Sequence, residues 1–226
     1  MGTEKKTDLS SLLDLAYRQG KDYGTMFVDW MDWVIDIFDT RNIATFVENF
    51  RNKSQKNEFF AALMLTWLND NTKAQIEGRL IDWFGTQYEE MIKSKSKADA
   101  LGQFYTPMSV SKLMAMCSVG DMDHPENATI DDCACGSGRL LIAAEEALRC
   151  KYGYSNKRYF TGADIDHMSV RMCALNLMIA GVCGRVMCRN TLTMETYYGY
   201  EINEVRTPIP CNMYSIRKLS KDECGG

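Results

Sequence analysis

The residues of this chain best suited to chemistry lie in one short run, DDCACGSGRLL, at residues 131–141. Gly136 and Gly138 flank a serine, and glycine lets a backbone approach a ligand where a Cβ would collide with it. Residues 128–134 are typical of a strand and residues 139–148 of a helix, so the turn between them would present the free N–H groups of a helix N-terminus. The pattern predicts a nucleotide-contacting turn, and the alternative is a plain strand-to-helix connection.

Two later segments lead to the same edge of the predicted sheet. Residues 158–166 predict a second strand, and Asp164 lies near its end. Doubly wound α/β folds place there a carboxylate that binds the ribose hydroxyls of an adenosine-containing ligand. Asp166 fits better as the cap of the helix predicted over residues 168–181. A third short strand, residues 185–190, ends at the same edge.

Together with GQFYTP at residues 102–107, these segments resemble the adenine-N6 DNA methyltransferases, especially the modification subunits of type I restriction systems. Four motifs of that family occur in the expected order over residues 100–192. The matching residues are Gly102, Phe104, Thr106 and Pro107; Asp132, Cys135, Gly136, Ser137, Gly138 and Leu141; Gly162, Asp164, Ile165 and Asp166; and Arg189, Asn190, Thr191 and Leu192.

The resemblance implies S-adenosylmethionine as the cofactor. The residues that it implies as cofactor-binding are Phe104, Tyr105, Thr106, Pro107, Asp132, Cys135, Gly136, Ser137, Gly138, Asp164, Ile165 and Asn190. Gly136 and Gly138 would let the loop pass beneath the cofactor, and Asp164 would hold its ribose. Asp132 would hold the methionine ammonium or only order the loop. Asn190 would meet the adenine of the cofactor or serve as a turn residue.

The segment before the next predicted helix has two interpretations. In a family member, Phe104, Tyr105 and Thr106 would close over the methionyl end of the cofactor. Pro107 also suits the first turn of a helix that begins near Ser109, because proline has a fixed φ and no N–H to satisfy. The sequence alone leaves both interpretations open.

The family's catalytic motif, [ND]-P-P-[FYW], does not occur in the 226 residues, and no two of the four prolines are adjacent. We therefore assign no catalytic residue and expect the catalytic half to be absent. The resemblance implies methyl transfer to adenine N6 in DNA only if a partner or a missing segment supplies the motif. The alternative is a non-catalytic protein that binds S-adenosylmethionine or acts in interaction or regulation. A dehydrogenase-like dinucleotide binder is disfavoured, because the turn lacks G-x-G-x-x-G.

The expected fold class is α + α/β. A helical domain is predicted over residues 1–97, followed by an incomplete Rossmann-like domain, of the class I S-adenosylmethionine-dependent methyltransferase type, over residues 98–226. Its strands are expected in the order third, second, first. Residues 209–216 could add a strand that patches an open sheet edge. Helical spacing of apolar residues predicts amino-terminal helices over residues 25–39, 58–68 and 75–91, with a break at residues 69–71 and with tryptophans in the core.

Composition limits the classes of protein further. Nine cysteines lie scattered beside 15 methionines, which favours a reduced, cytoplasmic protein over a disulfide scaffold. The cysteine spacing and two histidines give no zinc pattern, so we expect no metal, and no apolar run or signal peptide indicates a membrane. The net charge is −4, and autonomous DNA binding normally needs a basic face. We expect DNA to be bound through or with a partner, either a specificity-type subunit or a second copy of the chain.

Overall fold

The computed structural model describes residues 16, 18–39, 41, 48, 54–94, 106–204 and 214–224. The helices are α1 (Tyr23–Phe38), α2 (Gln55–Ile76), α3 (Trp83–Ser94), α4 (Met108–Ser118), α5 (Arg139–Tyr152), α6 (His167–Ile179) and α7 (Lys221–Cys224). The strands are β1 (Thr129–Asp132), β2 (Tyr159–Asp164), β3 (Cys183–Asn190), β4 (Glu195–Ile202) and β5 (Ile216–Leu219). Within the described residues, no helix combines the length and the apolar character needed to cross a membrane.

Helix α2 continues through the break that the sequence predicts at residues 69–71, so that prediction is wrong. Asn71 is buried, and its Nδ2 donates to the Trp67 carbonyl at 2.9 Å. The side chain thus bonds to the preceding turn of its own helix instead of forming a turn of its own. The chain turns later, where Gly78 adopts a φ of +72°. Burial of Asn71 in the helix therefore overrides the turn propensity of that asparagine.

The amino-terminal helices meet in an aromatic core. Trp30, Trp67 and Phe84 are fully buried, and the Phe84 ring lies 5.4 Å from Trp30 and 5.5 Å from Trp67, measured between centroids. Ring pairs at this separation stabilise a core beyond their burial alone. The Trp30 indole N–H donates to the Phe60 carbonyl at 3.2 Å, so its polar group is satisfied. The remaining two tryptophans are buried as well. The prediction that the tryptophans belong to the core is confirmed.

The five strands form one sheet in the order β1-β2-β3-β4-β5. The predicted neighbours, third beside second beside first, are confirmed, and these three strands run parallel. Strands β2 and β3 approach so closely that a Cβ at Gly184 would overlap the Phe160 carbonyl oxygen. Because the carboxyl ends of parallel strands share one edge, the ends of β1, β2 and β3 converge on a single rim of the sheet.

The last two strands run antiparallel to their neighbours. Strand β5 begins at Ile216, the last residue of the strand predicted over residues 209–216, and Ile216 pairs with Ile202 of β4. Residues 209–213 of that prediction lie outside the described residues. The strand covers the free side of β4, whereas β1 has no neighbour beyond it among the described strands.

The two faces of the sheet differ in chemistry. One face packs its apolar side chains, such as Phe160 and Val186, into the core beneath the helices. On the other face, Glu201 accepts hydrogen bonds from Arg185 at 2.9 Å and from Arg217 at 2.7 Å. Alternate residues of a strand point to opposite faces, so a strand of alternating character gives one apolar and one charged surface.

The amino-terminal helices pack on the helix that follows β2. Asp32 of α1 pairs with Arg171 of α6 at 2.6 Å, and the Gln75 amide donates to the Ile179 carbonyl at 2.7 Å. A continuous set of buried residues connects these helices to the sheet. The α + α/β fold class is confirmed. The division at residues 97/98 falls outside the described residues, so the domain boundary stays a prediction.

Candidate functional site

A tight loop over residues 133–138 joins β1 to α5 at the shared rim. Gly136 and Gly138 have φ values of +52° and +86°, in the left-handed region that favours glycine. A Cβ at Gly138 would also lie 2.8 Å from the sulfur of Cys173. The Cys135 N–H donates to a carbonyl of β2 at 2.9 Å, which ties the loop to the neighbouring strand. The loop conformation therefore depends on both glycines.

Asp164 holds the loop from the end of β2. One carboxylate oxygen accepts from the Gly136 N–H at 2.8 Å, and the other accepts from the Asp166 N–H at 2.9 Å. Asp166 in turn accepts from the Ser169 N–H at 2.7 Å and caps α6, as the sequence predicts. Ile165, between the two aspartates, is 57% exposed. A carboxylate offers about four acceptor positions, so Asp164 retains capacity for a ligand.

Asp132 lies at the end of β1 and is only partly satisfied. One carboxylate oxygen accepts from the Ala134 N–H at 3.0 Å. The other oxygen is buried and has no hydrogen-bond partner within the described residues. Burial, and then the charges of Asp131 and Asp164, raise the pKa of Asp132 above its usual value, against the effect of the Ala134 N–H. A buried acceptor without a donor is costly, and a cation placed beside it would supply a donor and a charge that favours the ionised carboxylate.

Two predicted residues of the loop turn their side chains inward. Ser137 is fully buried, and its hydroxyl donates to Asp82 at 2.6 Å. A hydrogen bond with Cys173, followed by burial, raises the pKa of the Cys135 thiol well above its usual value. Such a thiol stays neutral and unreactive. Any contribution of these two residues to ligand binding would come from their backbone and from the loop shape that they fix.

The predicted TP segment is described only in part. Thr106 precedes α4, and its carbonyl accepts from Arg139 at 3.0 Å. Pro107 is the residue before α4, and its own carbonyl accepts from the Ser111 N–H at 3.0 Å, which starts the helix. Phe104 and Tyr105 lie outside the described residues, so their predicted role stays a prediction.

Asn190 ends β3 at the same rim as Asp164. Its side-chain oxygen accepts from the N–H groups of Leu192 at 3.1 Å and Thr193 at 3.2 Å. This is the turn geometry that asparagine favours, and it corresponds to the alternative role considered from the sequence. The turn leaves Leu192 95% exposed. A contact with the adenine of a cofactor stays a prediction.

One residue that the sequence did not single out is Asp82, which lies fully buried beneath the loop. Its carboxylate accepts from Ser137 and Arg139, and its other oxygen accepts from the Gly85 N–H at 2.8 Å at the start of α3. A helix predicted over residues 75–91 places Asp82 in its interior. The usable signal was an aspartate directly before an apolar run, which is typical of a helix N-cap.

The described residues contain no group of three or more histidine, cysteine, aspartate or glutamate side chains arranged to hold a metal ion. Pro208 and Pro210 lie outside the described residues. The assignment of no catalytic residue therefore stays a prediction.

A glycine loop between a strand and a helix, with a carboxylate at the end of the next strand, is typical of the cofactor sites of α/β proteins. The family model for N-6 DNA methylases matches residues 79–216, which is more than half of the chain. The chain belongs to this family, and membership implies the use of S-adenosylmethionine.

Individual relatives agree with this assignment. The chain is 28% identical over 145 residues to the type I restriction enzyme MpnII methylase subunit of Mycoplasma pneumoniae, a match that covers 62% of this chain and 26% of that protein. It is 33% identical over 112 residues to the MjaIX methylase subunit of Methanocaldococcus jannaschii, covering 49% of this chain and 19% of that protein. The matched region thus spans about a quarter of these relatives or less.

Among solved structures, the type I restriction-modification methyltransferase subunit from Streptococcus thermophilus matches with a TM-score of 0.42 and 19% identity. That match covers 93% of this chain and 42% of the other.

Proposed function

We propose that the chain binds S-adenosylmethionine at the rim formed by the ends of β1, β2 and β3. The observation that carries this proposal is the buried, unpartnered carboxylate oxygen of Asp132 beside the glycine loop. The methionine end of S-adenosylmethionine carries an ammonium group, which is a donor of the right charge for that oxygen. A buried acceptor without a donor needs an explanation, and a cationic ligand provides one.

The other residues of the rim suit the remaining parts of the cofactor. Gly136 and Gly138 keep the loop tight through their left-handed conformations, and Asp164 retains acceptor capacity for ribose hydroxyls. Ile165 offers an exposed apolar side chain next to that carboxylate, suited to the flat face of an adenine. The rim therefore offers Asp132 to a cation, Asp164 to a diol and Ile165 to an aromatic ring, three groups that occur together in one ligand.

The reaction that we propose is methyl transfer to adenine N6 in DNA, on condition that a partner or a further segment supplies the catalytic motif. Bound S-adenosylmethionine supplies the electrophilic methyl group. This chain's share is to bind and orient the cofactor through its loop and rim carboxylates. The target base would have to leave the duplex to reach the methyl group. A partner subunit or a second copy of the chain would supply the DNA contacts, in the cytoplasm.

A second candidate is a non-catalytic protein of the same family that binds the cofactor or acts through interactions. It is favoured by the absence of [ND]-P-P-[FYW] from the sequence and by the net charge of −4. Incorporation of tritiated methyl groups into adenine of duplex DNA separates the two candidates. Robust transfer by the purified chain alone would overturn the non-catalytic candidate.

Titration calorimetry with S-adenosylmethionine tests the cofactor site itself. We expect micromolar binding that Asp164→Ala weakens about tenfold or more, the scale of a lost charge-assisted hydrogen-bond pair. Asp123→Ala is the matched control, since Asp123 is exposed and lies before β1. It should bind as the unaltered chain does. Absence of binding by the unaltered chain would overturn the proposal, as would equal affinities for all three proteins.

A further inference from the structure

The carboxylate of Asp82, which is buried below the glycine loop, accepts four hydrogen bonds. One oxygen of Asp82 accepts from the Ser137 hydroxyl at 2.6 Å and from the Arg139 Nε at 2.8 Å. The other accepts from the Asn176 amide at 2.6 Å and from the Gly85 N–H at 2.8 Å. These donors come from the loop, from α5, from α6 and from α3. A single side chain therefore joins four segments of the chain.

Asp82 and its donors are buried, and this burial restricts the positions that they can adopt. The Asp82 side chain has no exposed surface, and that of Arg139 is 8% exposed. A buried carboxylate or guanidinium is tolerated only when it is paired and its hydrogen bonds are made, because both ions lose their hydration. All acceptor positions of Asp82 are used, so the loop cannot shift without breaking a bond to a buried charge.

Arg139 extends the cluster to the segment before α4. Its Nη1 donates to Glu89 of α3 at 2.9 Å and to the Thr106 carbonyl at 3.0 Å. The Asn176 amide also donates to the Ser137 carbonyl at 3.0 Å, so it holds the loop backbone directly. The loop and the segment at Thr106 are two of the parts proposed to surround the cofactor. One buried ion pair sets their relative position.

We propose that Asp82 is a positioning residue for the cofactor site, which fixes the loop through Ser137 and Arg139 and thereby sets the affinity for S-adenosylmethionine. The inference rests on the proposed function and extends it to a residue of the amino-terminal helices. Asp82 touches no ligand. It acts through the shape that it imposes on residues 135–139 and through the Arg139 bond to Thr106.

The main test compares Asp82→Asn with Asp70→Asn. The first change replaces two acceptor positions by an amide that faces donors, whereas Asp70 accepts from the Trp83 indole at 3.2 Å and serves as a matched carboxylate on α2. We expect Asp82→Asn to weaken cofactor binding about tenfold or more, after correction for the folded fraction, and Asp70→Asn to leave it unchanged. A merely structural role would leave the corrected affinity unchanged in both variants.

Hydrogen exchange of the loop amides, measured without cofactor, keeps this test separate from the proposed function. We expect peptides covering residues 135–139 to exchange at least about tenfold faster in Asp82→Asn than in the Asp70→Asn control. The two variants are compared under conditions in which their global stabilities are equal. If the unaltered chain binds no S-adenosylmethionine, the proposed function fails, while the exchange result still decides whether Asp82 fixes the loop. Unchanged exchange in Asp82→Asn would overturn the inference.

Gly85→Ala provides a second variant in case Asp82→Asn does not fold. A Cβ at Gly85 would collide with the Asp82 carboxylate and would lie 2.5 Å from the Ser137 hydroxyl. Alanine in a helix is normally more stabilising than glycine. We expect the opposite here: lower stability and faster loop exchange, while Gly120→Ala, which meets open space, changes neither. A gain in stability with unchanged loop exchange in Gly85→Ala would count against the inference.

Discussion

The aspartates below and above the glycine loop differ in the number of hydrogen bonds that their carboxylate oxygens accept. Below it, Asp82 is fully buried and accepts four hydrogen bonds. Above it, Asp132 has one oxygen bonded to an N–H and one that is buried without a donor. Asp164 and Asp166 lie between these extremes, with two hydrogen bonds and one, respectively. The same residue type therefore builds the loop on one side and is left available for a ligand on the other.

This comparison predicts an order of stability effects. Removal of a carboxylate should destabilise the chain more when the carboxylate accepts more hydrogen bonds, and less when one of its oxygens is buried without a donor. At the unsatisfied end of the series, the change should become stabilising. Urea unfolding of single variants measures these losses of stability, and a different order of losses would contradict the comparison.

The largest loss of stability is expected for Asp82→Ala. It takes one carboxylate away from the buried Arg139 guanidinium, which keeps its pair with Glu89, and removal of one partner of a buried pair costs about 3–5 kcal/mol. Asp29→Ala is the control, because its pairs with Lys21 and Lys56 are partly exposed and should contribute less than about 1 kcal/mol. Equal losses in the two variants would contradict the comparison.

An intermediate loss is expected for Asp164→Ala. The change frees the N–H groups of Gly136 and Asp166, and hydrogen bonds to a charged group contribute about 1.5–3 kcal/mol each before solvent replaces them. Since Asp164 is only half-buried, water can satisfy part of what is lost, and we expect a total of about 2 kcal/mol. A loss as large as that of Asp82→Ala would show that burial does not separate the two positions.

A smaller loss is expected for Asp166→Ala. This residue caps α6 through the Ser169 N–H, and loss of such a cap costs about 1 kcal/mol. Asp166→Ser keeps a capping oxygen and should recover most of the stability. The measurement is the urea midpoint at constant slope, and a serine variant as weak as the alanine variant would exclude a capping role.

The smallest effect, with the opposite sign, is expected for Asp132→Asn without cofactor. Because the pKa of Asp132 is raised in the folded chain, its ionised form destabilises the fold at neutral pH, and stability is lost as pH rises through that pKa. The asparagine variant should therefore be more stable at pH 7, by less than about 1 kcal/mol, and the difference should shrink toward about pH 4. Thermal melts at both pH values measure it.

The same variant should bind S-adenosylmethionine more weakly. Binding by the unaltered chain should also weaken on acidification as Asp132 takes up a proton, whereas the variant should lose this pH dependence. Calorimetry across that pH range provides the readout. A variant that is less stable and binds equally well would place Asp132 among the structural carboxylates and remove the contrast.

Much of the rim was predictable because its signals are local. The glycines of the loop, the acid at Asp164 and the cap at Asp166 lie at the ends of short strands with clear patterns, and the structure places them there. The predicted break at residues 69–71 was wrong, because the side chain of Asn71 is buried in a continuous helix. The sequence did not predict the role of Asp82, because its partners at residues 137, 139 and 176 are remote in sequence.

By itself, the sequence determined the family, the strand–loop–helix unit with its two glycines, and the adjacency of the three parallel strands. The strand–loop–helix unit follows from backbone requirements and from periodicities that act over a few residues, whereas the family and the strand order follow from the resemblance of the motifs to a known family. Only the tertiary structure decided which aspartates are satisfied and which are not. That property depends on donors from distant segments and on the loss of water around them, and neither is written in any short run of residues.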